Sequence, residues 1–335
     1  MTTIYDVAKK ANVSAMTVSR VINNASSIKE ETRQRVLKAI KELDYIPNRT
    51  AQSLSSKDSK LLSLIITDIT NPFFTRIARG AEDRANESGY QVVFSNSDET
   101  ISKESAYIRS VISRGIDGVL LVPASEQSKD NVAQLSKHQI PYVLIDREIH
   151  GVSSDIIMGD NQKSTKHLLE HLVNLGHRNI ALVTGPPHIS NIREREVAYD
   201  EIIEKYSMPE PLIFRADLTR NQSASFIDLF LQLPKERKPT AIFAVNNFLA
   251  VNLINGFRSQ GIIVPDELSI VCFDDPHPVP DVNPFLTFIN QPAYQFGYRG
   301  MEILINKIEK KEKNNTPQKI IIPSDLIIGK STKAI

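Results

Sequence analysis

The chain has 335 residues, with 40 Lys and Arg against 39 Asp and Glu, enough for two or three domains and a sizeable core. Its one cysteine, Cys272, excludes an intrachain disulfide and a cysteine-built zinc site. No stretch approaches the roughly 20 apolar residues that span a bilayer, and the N-terminus lacks the apolar run of a secretory signal, so a cytoplasmic protein is expected.

The near-neutral total hides an uneven distribution. Residues 1–60 hold 11 Lys or Arg and 6 Asp or Glu, and the remainder holds 29 and 33. A basic head on a slightly acidic body is the footprint of a small region that sits on phosphates. In that head Thr3 can cap a helix, with Asp6 favouring its N-terminus, Ala8 and Ala11 as an apolar seam, and Asn12 as its stop. Ser14 can cap a second short helix in which Val18, Val21 and Ile22 share a face, leaving Ala15, Met16, Thr17, Ser19 and Arg20 pointing elsewhere. Two short helices joined by a tight turn make a helix-turn-helix. The start of its second helix enters the major groove, where Arg20 is suited to guanine O6 and N7. A third helix is expected from about Glu30 to Leu43, with Val36, Leu37, Ile40 and Leu43 as its buried stripe. Beyond Pro47, the polar, Ser-rich run from Asn48 to Lys60 has the composition of a flexible linker. Ala51, Leu54 and Ser55 would nonetheless share one face of a short helix formed on DNA.

From Leu61 the pattern becomes apolar strands alternating with helices. LLSLIITDI, YQVVFSNS, GVLLVPA and PYVLIDR read as buried strands, with helical stretches starting near Phe74, Ser102 and Asp130. The cycle repeats with DIIMGD, IALVTG, LIFRAD, AIFAVN and LSIVCFD, alternating with helices near 162–175, 194–205, 222–231 and 248–260. The expected fold is therefore an α/β core of two doubly wound parallel-sheet lobes behind an all-α headpiece, with a ligand cleft at the carboxyl ends of the strands. Asn71, Asp146, Arg147, Asn246, Asp274 and Gln291 each follow an apolar run directly, and Phe73 and Phe74 come just after the first strand. Any one of these has a capping or core explanation. Converging on one cleft, they suit a polyhydroxylated ligand, whose buried hydroxyls need partners and whose ring faces favour aromatic walls.

These residues carry a resemblance. DVAKKANVSAMTVSRVIN followed by LDYIPNRTAQSL resembles the headpiece and hinge of the lactose-repressor family of bacterial transcription regulators. The two-lobed remainder is similar to that family's type I periplasmic-binding-protein core. DITNPFF, ARGAED and NSDE look most like ribose-operon repressors within it. The resemblance implies a headpiece over 1–46, a hinge over 47–60, a first lobe over 61–159 plus 291–320, and a second over 160–290 plus 321–335. It places base reading at Ala15, Met16 and Arg20 and a minor-groove wedge at Leu54. The whole candidate DNA set is Thr3, Tyr5, Ser14, Ala15, Met16, Thr17, Ser19, Arg20 and Asn23, with Asn48, Ala51 and Leu54 from the hinge. The core also resembles ribose-binding proteins motif by motif: Asn71, Phe73 and Phe74 in NPFF, Asp146 and Arg147 in LIDR, Arg195 in RER, Asn246 in FAVN, Asp274 in FDD and Gln291 in NQP. Three positions depart from that pattern. Ala198 replaces a common Gly, Asn247 replaces the usual Asp, and Leu218 stands where a third aromatic wall is expected.

What the resemblance implies is a non-enzymatic, cofactor-free repressor, homodimeric on a pseudo-palindromic double-stranded DNA operator and controlled by a small sugar, most simply ribose. The alternatives are a regulator answering to a phosphorylated sugar, a purine or a phosphocarrier-protein coregulator, and, remotely, a sugar-binding protein of transport. His167 and His171 are four apart on a helix but lack a third metal ligand and read as surface residues. No nucleophile elbow or phosphate-binding glycine loop stands out. Lys310 to Lys319 reads as a solvated loop, and without leucine heptads after it a dimer is expected rather than a coiled-coil tetramer.

Overall fold

A computed structural model describes residues 2–22, 28–46, 59–216, 223–277, 284–309 and 316–335. The chain divides into two units, Met1–Ser59 and Lys60–Ile335. Asn23, Asn48, Ala51, Leu54 and Leu218 lie outside the described residues.

Among the described residues, the first unit holds three helices, α1 (Ile4–Ala11), α2 (Ala15–Ile22) and α3 (Glu30–Glu42). Thr3 and Asp6 form a reciprocal capping box: the Thr3 N–H donates to Asp6 Oδ2 at 2.8 Å and the Asp6 N–H to Thr3 Oγ1 at 3.3 Å. Asn12 ends α1 in the left-handed region at φ 52°, which asparagine tolerates better than most side chains. The Thr17 N–H donates to Ser14 Oγ at the start of α2. Val7, Ala8, Ala11, Val18, Val21, Val36 and Ala39 close the small core. Leu37 does not join it and stays 45% exposed. It lies about 100° round the helix from Val36, whereas Ala39, Ile40 and Leu43 recur at the three- and four-residue spacing that keeps one face.

In the second unit, short apolar runs become interior strands because helices cover both faces of a parallel sheet. The chain order is β1 (Leu61–Ile66), α4 (Pro72–Glu87), β2 (Gln91–Asn96), α5 (Ile101–Arg114), β3 (Gly118–Leu121), α6 (Lys129–Lys137), β4 (Tyr142–Ile145), β5 (Ile156–Gly159) and α7 (Asn161–Asn174). It continues through β6 (Ile180–Thr184), α8 (Ser190–Lys205), β7 (Ile213–Arg215), α9 (Ser223–Gln232), β8 (Ala241–Ala244), α10 (Asn247–Ser259) and β9 (Ser269–Phe273). The last elements are β10 (Thr287–Asn290), α11 (Ala293–Ile308), β11 (Lys319–Ile322) and β12 (Asp325–Ile327).

Two six-stranded sheets result, ordered β11-β5-β4-β3-β1-β2 and β12-β10-β9-β8-β6-β7. Every described pairing is parallel except β10 with β12. The chain passes between sheets after Gly159, after Asn290 and after Ile322. Ile156–Gly159, which opens the second run of strands in the sequence, is thus the fifth strand of the first sheet. Ile321 and Ile322 also complete the first sheet, so the last crossing falls just beyond residue 320. Lys319 begins β11 and pairs with Glu148 at 2.6 Å, so it is no part of a solvated loop. Helix α8 starts four residues before Glu194, and α11 is a full element that the periodicity reading did not single out.

His167 is exposed, but His171 is half-buried and its Nε2 lies 3.0 Å from Thr332 Oγ1, a packing role rather than a surface one. Among the described residues no helix is long and apolar enough to cross a membrane.

Candidate functional site

Between the two sheets, the carboxyl ends of the strands and the first turns of the following helices line a partly open cleft. Asn71 caps α4, its Oδ1 accepting from the Phe73 N–H at 3.0 Å, and proline at the first helical position pre-sets the turn. Phe73 and Phe74 follow and meet edge to face at 5.1 Å between centroids. Asp146 and Asp274 stand just past β4 and β9, both at φ 68°. Left-handed backbone at a non-glycine residue costs about 1–2 kcal/mol, and here it turns both carboxylates into the cleft.

The polar groups are buried and only partly paired. Asn191 donates to Asp146 Oδ2 at 2.8 Å, leaving Asp146 Oδ1 buried with no partner. Arg195 donates from Nε to Asn161 Oδ1 at 3.0 Å and from Nη1 to the Val245 carbonyl at 2.6 Å, and its guanidinium lies 3.7 Å from the centre of the Phe273 ring. Asp274 Oδ1 accepts from Gln291 Nε2 at 2.9 Å. Burial pushes the Asp274 carboxyl up to about 6, against the pull of Arg195. Burial raises Asp146 as well, opposed by Arg147 and Arg195. Asn246 caps α10 through its Oδ1, which accepts from the Leu249 N–H at 2.8 Å.

Of the nine residues proposed from the sequence, Asn71, Phe73, Phe74, Asp146, Arg147, Arg195, Asn246 and Asp274 line the cleft. Gln291 does not: it stands behind Asp274, with its Oε1 unpartnered, in space that only a glycine at 159 leaves open, since a Cβ there would come within 2.4 Å. Arg147 lines the cleft but its two terminal nitrogens are committed to Glu99, one at 2.7 Å, and to the Pro123 and Ala124 carbonyls. Those two nitrogens are therefore not free to pair with a ligand. Five lining residues were not anticipated: Asp68, Glu99, Asn191, Ile192 and Phe248. Asp68 and Glu99 come two and three residues after the ends of β1 and β2, so a rule that looks only at the residue directly after an apolar run passes over them. Phe248 supplies a further aromatic wall from the start of α10. Asn247, a departure from the ribose-binding pattern, donates to Asn71 Oδ1 across the cleft and to the Asp275 carbonyl, both at 3.1 Å. An aspartate there would set acceptor against acceptor.

In the first unit, α2 presents Met16, 66% exposed, and Arg20, exposed and without a hydrogen bond or ion pair among the described residues. Tyr5 on α1 is 73% exposed. Thr3 and Ser14 are exposed and Ala15, Thr17 and Ser19 half-buried, while Ser14 Oγ and Thr17 Oγ1 lie 2.9 Å apart.

A profile of the bacterial regulatory proteins of the lacI family matches residues 3–48, and one of the periplasmic binding protein-like domain matches 169–332. The chain is 34% identical to the HTH-type transcriptional regulator DegA of Bacillus subtilis, over 100% of this chain and 99% of that one. It is 35% identical to the ribose operon repressor of Halalkalibacterium halodurans, over 99% and 98%. The solved Lac repressor dimer bound to operator and the anti-inducer ONPF superposes with TM-score 0.83 at 26% identity over 99% of both chains. A LacI family transcriptional regulator from Enterococcus faecium with bound ribose gives TM-score 0.72 at 26% identity, over 82% of this chain and 99% of that one.

Proposed function

We propose, from the premise that this chain belongs to the lacI family of bacterial regulatory proteins, that it is a DNA-binding transcriptional repressor whose operator affinity is set by a small polyhydroxylated ligand, most simply ribose. The observation that carries the ligand half is a set of orphans. Asp146 Oδ1, Arg147 Nε and Asn191 Oδ1 are buried without hydrogen-bond partners, Arg147 Nε having only an ion pair with Asp146 Oδ2 at 3.6 Å, and all three residues line one cleft. Buried polar atoms in folded proteins are almost always paired, and leaving one unpaired costs about 1–3 kcal/mol. Three orphans in one cavity call for a polar occupant. The aromatic rings of Phe73, Phe74 and Phe248 suit the apolar faces of a sugar ring, and the relatives include a ribose operon repressor and a regulator with bound ribose.

The DNA half rests on the matched headpiece and on what α2 leaves free. Arg20 and Met16 project from a helix whose other face is consumed by Val18 and Val21. A homodimer brings two such helices to a pseudo-palindromic site. The same core could serve transport, but a basic helix-turn-helix has no use there. Calorimetry with ribose, a hexose and a purine, joined to operator titration with and without the tightest of them, tests the reading. Ribose binding that changes operator affinity is expected. Binding of the purine alone, or of ribose with no effect on DNA, would overturn it.

A further inference from the structure

Among the described residues, the cleft wall carries four carboxylates, Asp68, Glu99, Asp146 and Asp274, against two guanidinium groups, Arg147 and Arg195. One of those two is already sealed. Glu99 takes both terminal nitrogens of Arg147 in a fork-to-fork pair, with Nη2 donating to Oε1 at 2.7 Å and Nη1 to Oε2. The guanidinium is 5% exposed and the carboxylate 15%. The turn that delivers Glu99 runs through consecutive left-handed residues, Asp98 at φ 50° and Glu99 at φ 54°. Neither is a glycine, so the backbone is held against its preference where it puts a carboxylate on the arginine. What Arg147 keeps for a ligand is Nε, which makes no hydrogen bond and lies 3.6 Å from Asp146 Oδ2, a single donor without net charge behind it.

We propose, resting on the reading of this cleft as the ligand site, that Glu99 is a specificity-determining residue that sets the ligand's charge class: by neutralising Arg147 it restricts the cleft to uncharged polyols and excludes their phosphate esters. An anion moved out of water needs a cation or several donors to replace its hydration. Here a phosphate would meet an excess of carboxylate, a like-charge juxtaposition that costs several kcal/mol, and the one lining guanidinium with no carboxylate partner is Arg195, which is already held by Asn161 Oδ1 and the Val245 carbonyl. An uncharged hydroxyl bears no such penalty and finds donors and acceptors already placed.

The test compares the wild-type chain, Glu99→Gln and the double variant Glu99→Gln/Arg147→Gln by calorimetry with ribose and ribose 5-phosphate. The wild type should prefer ribose by at least about 100-fold, and Glu99→Gln should cut that ratio by about tenfold or more by freeing a cation for the phosphate. The double variant should lose the gain, which places the effect on Arg147 rather than on the size of the cleft. Equal wild-type affinity for the two sugars overturns the proposal whatever the variants do, and so does an unchanged ratio in Glu99→Gln. If the wild type binds neither sugar, the pentose reading fails while Glu99 is still judged by heat denaturation in inorganic phosphate. Phosphate raising the melting temperature of Glu99→Gln, and not of the wild type, supports the charge role; equal response overturns it.

Discussion

Asp274 concentrates the chemistry of the second unit in one side chain. Its carboxyl is raised from an ordinary value of 3.8 to about 6 by burial, so the folded protein holds the proton more tightly than the unfolded chain. The stabilisation from that proton is complete below about pH 3.8 and is lost as pH rises through about 6. Above pH 6 the ionised group therefore burdens the ligand-free fold. Asp274→Asn should raise stability at pH 7.5 by roughly 2–3 kcal/mol at most. The gain should shrink between pH 6 and pH 4, as read by urea titration across that range. A pH-independent difference would mean the effect is not electrostatic. Ligand hydroxyls donating to the ionised form should reverse the preference, so ribose affinity should fall as pH drops below 6, by no more than about tenfold per unit. On the DNA side, Arg20→Ala should relax base preference by about 1–3 kcal/mol if the contact is a bidentate guanine pair. A loss equal on all sequences in competition binding would instead make it a phosphate contact.

At the scale of elements, the position of α4 decides the geometry of the cleft, because its first turn carries Asn71, Phe73 and Phe74. It packs against α11 at backbone distance. A Cβ at Gly80 would lie 2.1 Å from the Tyr294 carbonyl oxygen, and one at Gly297 would lie 1.9 Å from that of Ile77. Neither obstacle is a flexible side chain, so one methyl must drive the helices apart. Gly297→Ala should cost about 1–3 kcal/mol or more in stability and should also weaken ribose binding, although residue 297 does not line the cleft. Full ribose affinity in a destabilised Gly297→Ala would detach α4 packing from the site. In the headpiece, the Thr3–Asp6 capping box is a local device, and Thr3→Ala should lower the melting temperature of that unit by removing about 1 kcal/mol.

For the whole molecule, regulation requires that ligand and operator favour different states. The lobes already touch across the cleft: Arg76 donates to Asp275 Oδ2 at 3.1 Å and to the His277 carbonyl at 2.7 Å, and Arg193 pairs with Glu126 at 2.6 Å. A ligand held by Asp146 from one lobe and by Arg195 and Asp274 from the other adds to that set, so it biases the angle between lobes. Coupling is reciprocal in free energy. If ribose weakens operator binding by some factor, typically 5–150-fold, saturating operator should weaken ribose binding by the same factor. Unequal factors in paired titrations would rule out a simple two-state linkage. Asp274→Ala should bind operator and fail to release it on ribose addition, and full release would remove the cleft from the sensing role.

Periodicity and local chemistry alone placed the three headpiece helices, their Thr3 and Ser14 caps and the alternation of strands with helices, because each of these depends on neighbours within a few residues. The strand-end rule also reached most of the cleft, since a parallel α/β sheet gathers its carboxyl ends on one side whatever the side chains are. Which sheet a strand joins was a different matter. By periodicity alone Ile156–Gly159 groups with the run that follows it, whereas the lobe bound at 159 implied by the family resemblance groups it with the run before, where it pairs with β4. The state of Arg147 was equally hidden. Glu99 lies 48 residues away, and an arginine at a strand end looks the same in sequence whether it is free or sealed. Leu37 illustrates the smallest version of the difficulty: an apolar residue one position off the stripe has the composition of the core and the angle of the surface. Only the folded chain decided how distant polar groups pair, because that pairing depends on distances between elements that no local pattern encodes.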